Sequence, residues 1–260
     1  MRLILLALLT QGVMLALRLR SRGRPGDLPG ALRFGHAWAR TAVRALGVQV
    51  DRRGYIPAER VLVVANHRSY IDIPILLSAM PCVFLAKREV SEWPLFGTAA
   101  ELQSTVWVDR ECPESRRQAV ERAESVLASG ISFAAFPEGT TTAGPGVRSF
   151  FPGLFKLAER RGFPVLPVAV SYGDPSAAFV DDADFLSHFL ACFGRRRMRV
   201  RVEFGPLIRP GDTVDTRARA ESWIRTRLES LDKAALTPAH ELEQSERRGI
   251  PLFRRRRAAA

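Results

Sequence analysis

The segment Asn66-His67-Arg68-Ser69-Tyr70-Ile71-Asp72 sets an imidazole and a carboxylate five residues apart. If this loop folds back, Asp72 can hold one ring nitrogen of His67, fix its tautomer and stabilise the imidazolium. The other nitrogen is then free to act as a general base. The bland alternative is a capping Asp beside an incidental His, because Asp72 can cap a helix that begins near Ile73 and Pro74. No Ser or Cys has a comparably clear setting as a nucleophile. Direct transfer to a hydroxyl acceptor therefore fits better than a covalent enzyme intermediate.

Two further loops carry chemistry-bearing residues. Val106-Trp107-Val108 is followed by Asp109-Arg110, and an Arg at a strand end can grip a phosphate bidentately. A surface salt bridge is the equal alternative. Phe136-Pro137-Glu138-Gly139-Thr140-Thr141-Thr142 follows an apolar run. Gly139 permits close backbone approach, and successive amides and hydroxyls can bind an anionic group. No Gly-Lys-Ser/Thr follows, so this is not a Walker loop.

These loops need a scaffold, and strand and helix patterns alternate around them. Val61–Ala65, Cys82–Ala86, Val106–Val108, Ile131–Phe136, Pro164–Tyr172 and Met198–Phe204 have strand character. Helices are expected from near Ile73, over Glu114–Ser129 with Gly130 as its stop, over Gly153–Arg161 and over Thr216–Asp232. The alternation predicts an α/β domain with a mixed, largely parallel sheet flanked by helices. Each candidate loop then leaves a strand at its carboxyl end, the edge where open α/β sheets bind ligands.

The chain has 260 residues, 47% of them apolar, and can bury a sizeable core without disulfides or metal. Its three cysteines, Cys82, Cys112 and Cys192, contain no close pair, which excludes a disulfide framework and a Cys-x-x-Cys zinc site. Lys plus Arg is 39 against 27 acids, a net charge of +12. Such a balance favours an anionic partner: nucleic acid, an anionic membrane or a phosphate-bearing substrate.

The charge is concentrated at the N-terminus, where residues 1–50 hold eight Arg and one acid, Asp27. Leu3–Leu17 is mostly apolar but spans only about 22 Å as a helix, short of a bilayer core of about 30 Å. It ends among Arg18, Arg20, Arg22 and Arg24, a cytoplasmic type of flank without a cleavage site. Ala31–Leu46 is expected to be an amphipathic helix, with Arg33, Arg40 and Arg44 in one stripe and Phe34, Trp38, Ala42 and Ala45 roughly opposite. The pair is expected to lie in or on an anionic bilayer, with packing of the second helix on the domain as the alternative. A nucleic-acid-binding protein would explain the cluster Arg195, Arg196, Arg197, Arg199 and Arg201. Only Phe193 and Phe204 flank that cluster, without the interleaved aromatics such a surface needs.

In order and spacing, Asn66-His67-x-x-x-x-Asp72, Val108-Asp109-Arg110, Phe136-Pro137-Glu138-Gly139-Thr140 and Val165-Leu166-Pro167-Val168 resemble the four motifs of the glycerolipid acyltransferase family, which includes the bacterial 1-acyl-sn-glycerol-3-phosphate acyltransferases. The resemblance covers roughly Gly47–Arg209, and the N-terminal segment looks like the helix pair of bacterial members. It implies that His67 deprotonates the acceptor hydroxyl and that Asp72 orients it. It also implies that Arg110, Glu138, Gly139 and Thr140 bind the acceptor. The acyl donor would be a thioester of coenzyme A or acyl carrier protein, with no metal or other cofactor. The expected acceptor is 1-acyl-sn-glycerol-3-phosphate, giving phosphatidic acid. The chain departs from the pattern at Thr141 and Phe151, where phosphate-type members have basic residues. Arg148 could compensate. Otherwise the acceptor lacks a phosphate monoester, as in the lyso-ornithine-lipid acyltransferases. The resulting division is a membrane-associated segment over 1–46, an acyltransferase domain over 47–233 and a basic, disordered tail over 234–260. The expected location is the cytoplasmic face of the inner membrane, with membrane lipids as partners and no nucleic acid.

Overall fold

A computed structural model describes residues 11–12, 28–92, 97, 100–101, 103–180, 183–194, 197–211 and 215–236. The Leu3–Leu17 run apart from Gln11 and Gly12, the arginines Arg195 and Arg196, and residues 237–260 lie outside the described residues. The expectations placed on them are therefore not addressed. Among the described residues no helix is long and apolar enough to cross a membrane.

Seven strands form one sheet: β1 (Val48–Arg53), β2 (Leu62–Ala65), β3 (Val83–Lys87), β4 (Val106–Val108), β5 (Phe133–Ala135), β6 (Val165–Tyr172) and β7 (Met198–Phe204). Their order is β1-β7-β6-β2-β5-β3-β4. Every neighbouring pair is parallel except β6 and β7. The mixed, largely parallel sheet is thus as the alternation implies. Strand β1 was not expected. Only Val48 and Val50 alternate before the polar run Asp51-Arg52-Arg53, and pairing to β7 supplies what the pattern lacks.

Alternate strand residues feed two cores. Val63, Ala65, Phe84, Ala134 and Val168 face one layer, covered by α1 (Leu28–Ala45), α2 (Asp72–Ala79) and α5 (Phe185–Gly194). Leu62, Val64, Val83, Phe133 and Ala169 face the other, covered by α3 (Pro113–Ala128), α4 (Gly153–Arg161) and α6 (Thr216–Leu236). β6 is buried along its whole length, as a central strand covered on both faces requires. Proline at N1 starts α3, and Gly130, at φ 87°, follows its end. Helix α6 runs to Leu236, past the expected boundary at Asp232.

Helix α1 is amphipathic in the expected sense, with Arg33, Arg40 and Arg44 all exposed. Its other face packs on the domain and not outward. Ala39, Ala42 and Val43 are buried, Trp38 packs against the same core, and His36 Nδ1 lies 2.7 Å from the carbonyl of Leu77 in α2. An apolar helix face looks alike in sequence whether it meets lipid or a sheet. Here α2 and the sheet occupy it, so α1 and the strands share one core.

Candidate active site

The site begins where β2 ends. Asn66 is completely buried, and its carboxamide pairs with the backbone of Val170 in β6. Its Nδ2 donates to the carbonyl at 2.9 Å and its Oδ1 accepts from the amide at 2.8 Å. This carries the β2–β6 pairing one residue past the strand and fixes the point from which the chain turns. His67 follows. Its ring stacks on Phe136 with centroids 3.9 Å apart and planes within 10°. Its Nδ1 lies 2.8 Å from Asp72 Oδ2. A carboxylate there accepts, so Nδ1 carries the proton and Nε2 is the nitrogen left free. Among the described residues Nε2 has no partner.

Asp72 is completely buried and accepts four donors. Oδ2 takes the His67 ring together with the amides of Arg68 at 2.8 Å and Ser69 at 2.9 Å. Oδ1 takes the phenol of Tyr172 at 2.6 Å. The Asp therefore does not take the alternative role of capping the following helix. It is itself the first residue of α2, no side chain caps that helix, and its carboxylate turns back onto the loop. Tyr172 was not anticipated from sequence. Burial first, then the neighbouring Asp72 charge, push its phenol well above the ordinary tyrosine range, so it stays a donor.

The loop after β5 is tied to the same turn. Glu138 Oε1 accepts the backbone N–H of His67 at 2.8 Å, and Oε2 accepts that of Arg148 at 2.8 Å. Both oxygens are thereby committed to holding loops, and Glu138 is buried. Its carboxyl is pushed up by burial, against the pull of these two amides and of the Arg68 charge. The Thr142 amide donates to the His67 carbonyl at 2.9 Å. Arg68, also unanticipated, is buried and donates to Thr142 Oγ1 at 2.6 Å and to the Gly146 carbonyl at 2.9 Å. Its position inside a His-x-x-x-x-Asp loop gave no signal, because its partners lie more than 70 residues away. Gly139 adopts φ 76°, and a Cβ there would lie 2.5 Å from the Phe151 ring. Phe151 is itself 65% exposed, an apolar ring at the position of an expected cation. Thr140 is half-buried beside Gly139.

Two expected anion ligands are placed differently. Arg148 is exposed, and its backbone amide, not its guanidinium, is what engages Glu138. Arg110 leaves β4 at the same sheet edge as His67, but the strand order puts three inter-strand steps between them, about 14 Å. Arg110 is half-buried, which lowers its pKa, while Glu89 opposes the shift. Glu89 also pairs with Lys87 at 2.7 Å, at the end of β3. The edge there presents both signs of charge.

Among the described residues a second histidine, His188, meets a cysteine, and this contact does not compete. Cys192 Sγ lies 3.6 Å from His188, but burial pushes the thiol up, and the two ring nitrogens of His188 face Tyr70 Oη and the Ala178 carbonyl. The resulting arrangement suits proton abstraction. A buried, fully bonded carboxylate orients an imidazole and leaves its other nitrogen free.

Comparison with known proteins bears on what this arrangement does. Residues 47–171 match the family model described as Acyltransferase, a span that contains His67, Asp72, Arg110, Glu138 and Arg148. The chain is 35% identical to a lyso-ornithine lipid O-acyltransferase of Pseudomonas aeruginosa over 86% of its own length and 90% of the relative. It is 32% identical to a 1-acyl-sn-glycerol-3-phosphate acyltransferase of Neisseria meningitidis over 61% of this chain and 64% of that one. The crystal structure of the 1-acyl-sn-glycerophosphate acyltransferase of Thermotoga maritima shares the fold. Its TM-score is 0.60 at 24% identity, covering 89% of this chain and 98% of that one. The chain therefore belongs to the acyltransferase family and is an acyltransferase.

Proposed function

We propose that the protein is a lysolipid O-acyltransferase whose acceptor lacks a phosphate monoester, with lyso-ornithine lipid as the best candidate. The observation that carries the reaction is the 2.8 Å contact between His67 Nδ1 and the buried Asp72, which leaves Nε2 free. In this reading the acceptor hydroxyl gives its proton to Nε2 as its oxygen bonds to the thioester carbonyl carbon. Asp72 stabilises the imidazolium. The tetrahedral intermediate collapses with cleavage of the C–S bond, and the Nε2 proton passes to the leaving thiolate. The products are an ester and a free thiol, either coenzyme A or acyl carrier protein. His67, Asp72 and the loop through Gly139 and Thr140 carry the chemistry, while Glu138 and Arg68 hold the two loops together.

The acceptor assignment rests on charge. A phosphate monoester needs cations aimed at it. Thr141 and Phe151 stand where such cations are expected, Arg148 is exposed, and Arg110 and Lys87 share Glu89. A zwitterionic amino-acid headgroup suits that mixed edge. The Pseudomonas relative, matched over most of both chains, carries such an acceptor in its name. The test is kcat/KM of the purified protein for lyso-ornithine lipid and for 1-acyl-sn-glycerol-3-phosphate, with acyl-CoA and acyl carrier protein thioesters in separate arms. Preference for lyso-ornithine lipid is expected. Preference for 1-acyl-sn-glycerol-3-phosphate restores phosphatidic acid as the product. The membrane surface where such lipids reside is the working location in either case.

A further inference from the structure

The loop after β5 grips the backbone of His67 at both of its polar groups. Glu138 Oε1 accepts the His67 N–H at 2.8 Å, and four residues on, the Thr142 N–H donates to the His67 carbonyl at 2.9 Å. Gly139, Thr140 and Thr141 are held between these two anchors. The start of the loop is fixed to the same residue, because Phe136 stacks on the His67 ring at 3.9 Å. The chain reverses at Gly139, whose N–H donates to the Phe136 carbonyl at 3.1 Å and whose φ is 76°.

This short arc is under-bonded. Among the described residues the N–H groups and hydroxyls of Thr140 and Thr141 have no hydrogen-bond partner, and both residues are half-buried. The groups around them are committed. Both Glu138 oxygens hold backbone amides, and the Thr142 hydroxyl accepts from Arg68 at 2.6 Å. A left-handed glycine followed by unpaired N–H groups makes an anion-binding concavity. No cation completes it: the Arg68 guanidinium serves Thr142 and Gly146, and Arg148 is exposed. Neutral donors alone suit a charge that appears during the reaction better than a permanent dianion.

We infer that the donors of Thr140 and Thr141 form the oxyanion hole of the acyl transfer. The inference rests on the proposed attack through His67. As the acceptor oxygen bonds to the thioester carbon, its proton passes to Nε2 and the carbonyl π pair moves onto the carbonyl oxygen. The Thr140 and Thr141 donors meet that negative charge. When the pair returns, the C–S bond breaks and the thiolate takes the proton from Nε2. Donors that strengthen only as charge develops raise kcat and leave ground-state binding unchanged. A headgroup site would instead hold the acceptor equally before and during the reaction.

The experiment measures steady-state kinetics of the full chain with lyso-ornithine lipid and the thioester that wild type uses. Thr140→Val/Thr141→Val removes both hydroxyls at nearly constant shape. It should lower kcat by about 10²-fold, with KM for both substrates within about twofold. Thr140→Ser/Thr141→Ser should restore most of the loss. With a dithioester donor, whose C=S accepts hydrogen bonds poorly, the penalty of the valine pair should shrink to less than about tenfold. The single variant Thr141→Val reads the same quantities should the pair not fold. The inference is overturned by unchanged kinetics, or by a raised acceptor KM at constant kcat, which would make the loop a headgroup site. It is also overturned if the serine pair is as impaired as the valine pair, or if the dithioester shows the full penalty. His67→Ala, run in parallel, separates the two claims. Turnover that survives it overturns the reaction itself. Its loss beside full activity of the valine pair overturns the oxyanion hole alone.

Discussion

The phenol of Tyr172 reaches Asp72 Oδ1 at 2.6 Å across 100 residues of sequence, and so joins the last residue of β6 to the carboxylate that orients His67. Asp72 uses its other oxygen for the imidazole, so the phenol sets the plane of the carboxylate without competing for the ring.

Tyr172→Phe removes that donor and leaves a buried carboxylate oxygen without a partner. Loss of a hydrogen bond to a charged group should cost about 1.5–3 kcal/mol of stability. Because Tyr172 acts through Asp72, kcat should fall while KM for the acceptor stays near its wild-type value. Urea denaturation and steady-state kinetics read the two effects separately. An unchanged kcat would show that the amides of Arg68 and Ser69 suffice to hold the carboxylate.

Asp72→Asn keeps the size of the side chain but removes its charge. The imidazolium then forms against a neutral amide, and the ring can settle in the wrong tautomer. In a serine-protease triad the equivalent change costs about 10⁴ in kcat, and a loss of at least 10² is expected here. Circular dichroism should show an intact fold. Retained turnover would relegate Asp72 to holding the loop.

Burial raises the Glu138 carboxyl above its ordinary range, so the folded protein binds that proton more tightly than the unfolded chain does. Its contribution to stability is present below the unfolded value, about pH 4, and is lost as pH rises through the raised folded value. Relative to Glu138→Gln, wild type should therefore lose unfolding free energy as pH climbs from about 4. Denaturation of both proteins over a pH series measures the difference. A difference that grows in favour of wild type over that window would contradict the assignment.

Arg68 and Arg148 should behave oppositely despite their common residue type. Arg68→Ala removes a buried guanidinium from Thr142 and Gly146 and should loosen residues 139–149, lowering stability by about 2–3 kcal/mol. Limited proteolysis within the loop reports it directly. Arg148→Ala leaves the backbone contact to Glu138 intact and should change kcat/KM for lyso-ornithine lipid by no more than about twofold. A large rise in acceptor KM would give the Arg148 side chain a headgroup role.

Much of this architecture is legible in the sequence, because alternating strands such as Met198–Phe204 and glycine-stopped helices such as Pro113–Ala128 obey local rules. The His67–Asp72 pair is legible too, since both partners lie in one short loop. What is not legible is long-range. Tyr172 is a phenol at the end of a mostly apolar strand, and only the sheet order brings it to Asp72. Asp72 has the residue type and place of a helix cap, yet the path of the preceding loop gives its oxygens to Arg68 and Ser69. The apolar face of α1 carries the same periodicity whether a bilayer or α2 covers it.

The central claim is that His67 Nε2 takes the acceptor proton. It is tested most directly by mass-spectrometric measurement of acylated product from lysolipid and thioester, with wild-type and His67→Ala protein at equal concentration. The substitution should leave the fold intact and lower turnover by about 10²–10⁴, the usual contribution of a positioned base. Product formation at near-wild-type rate by His67→Ala would contradict the account.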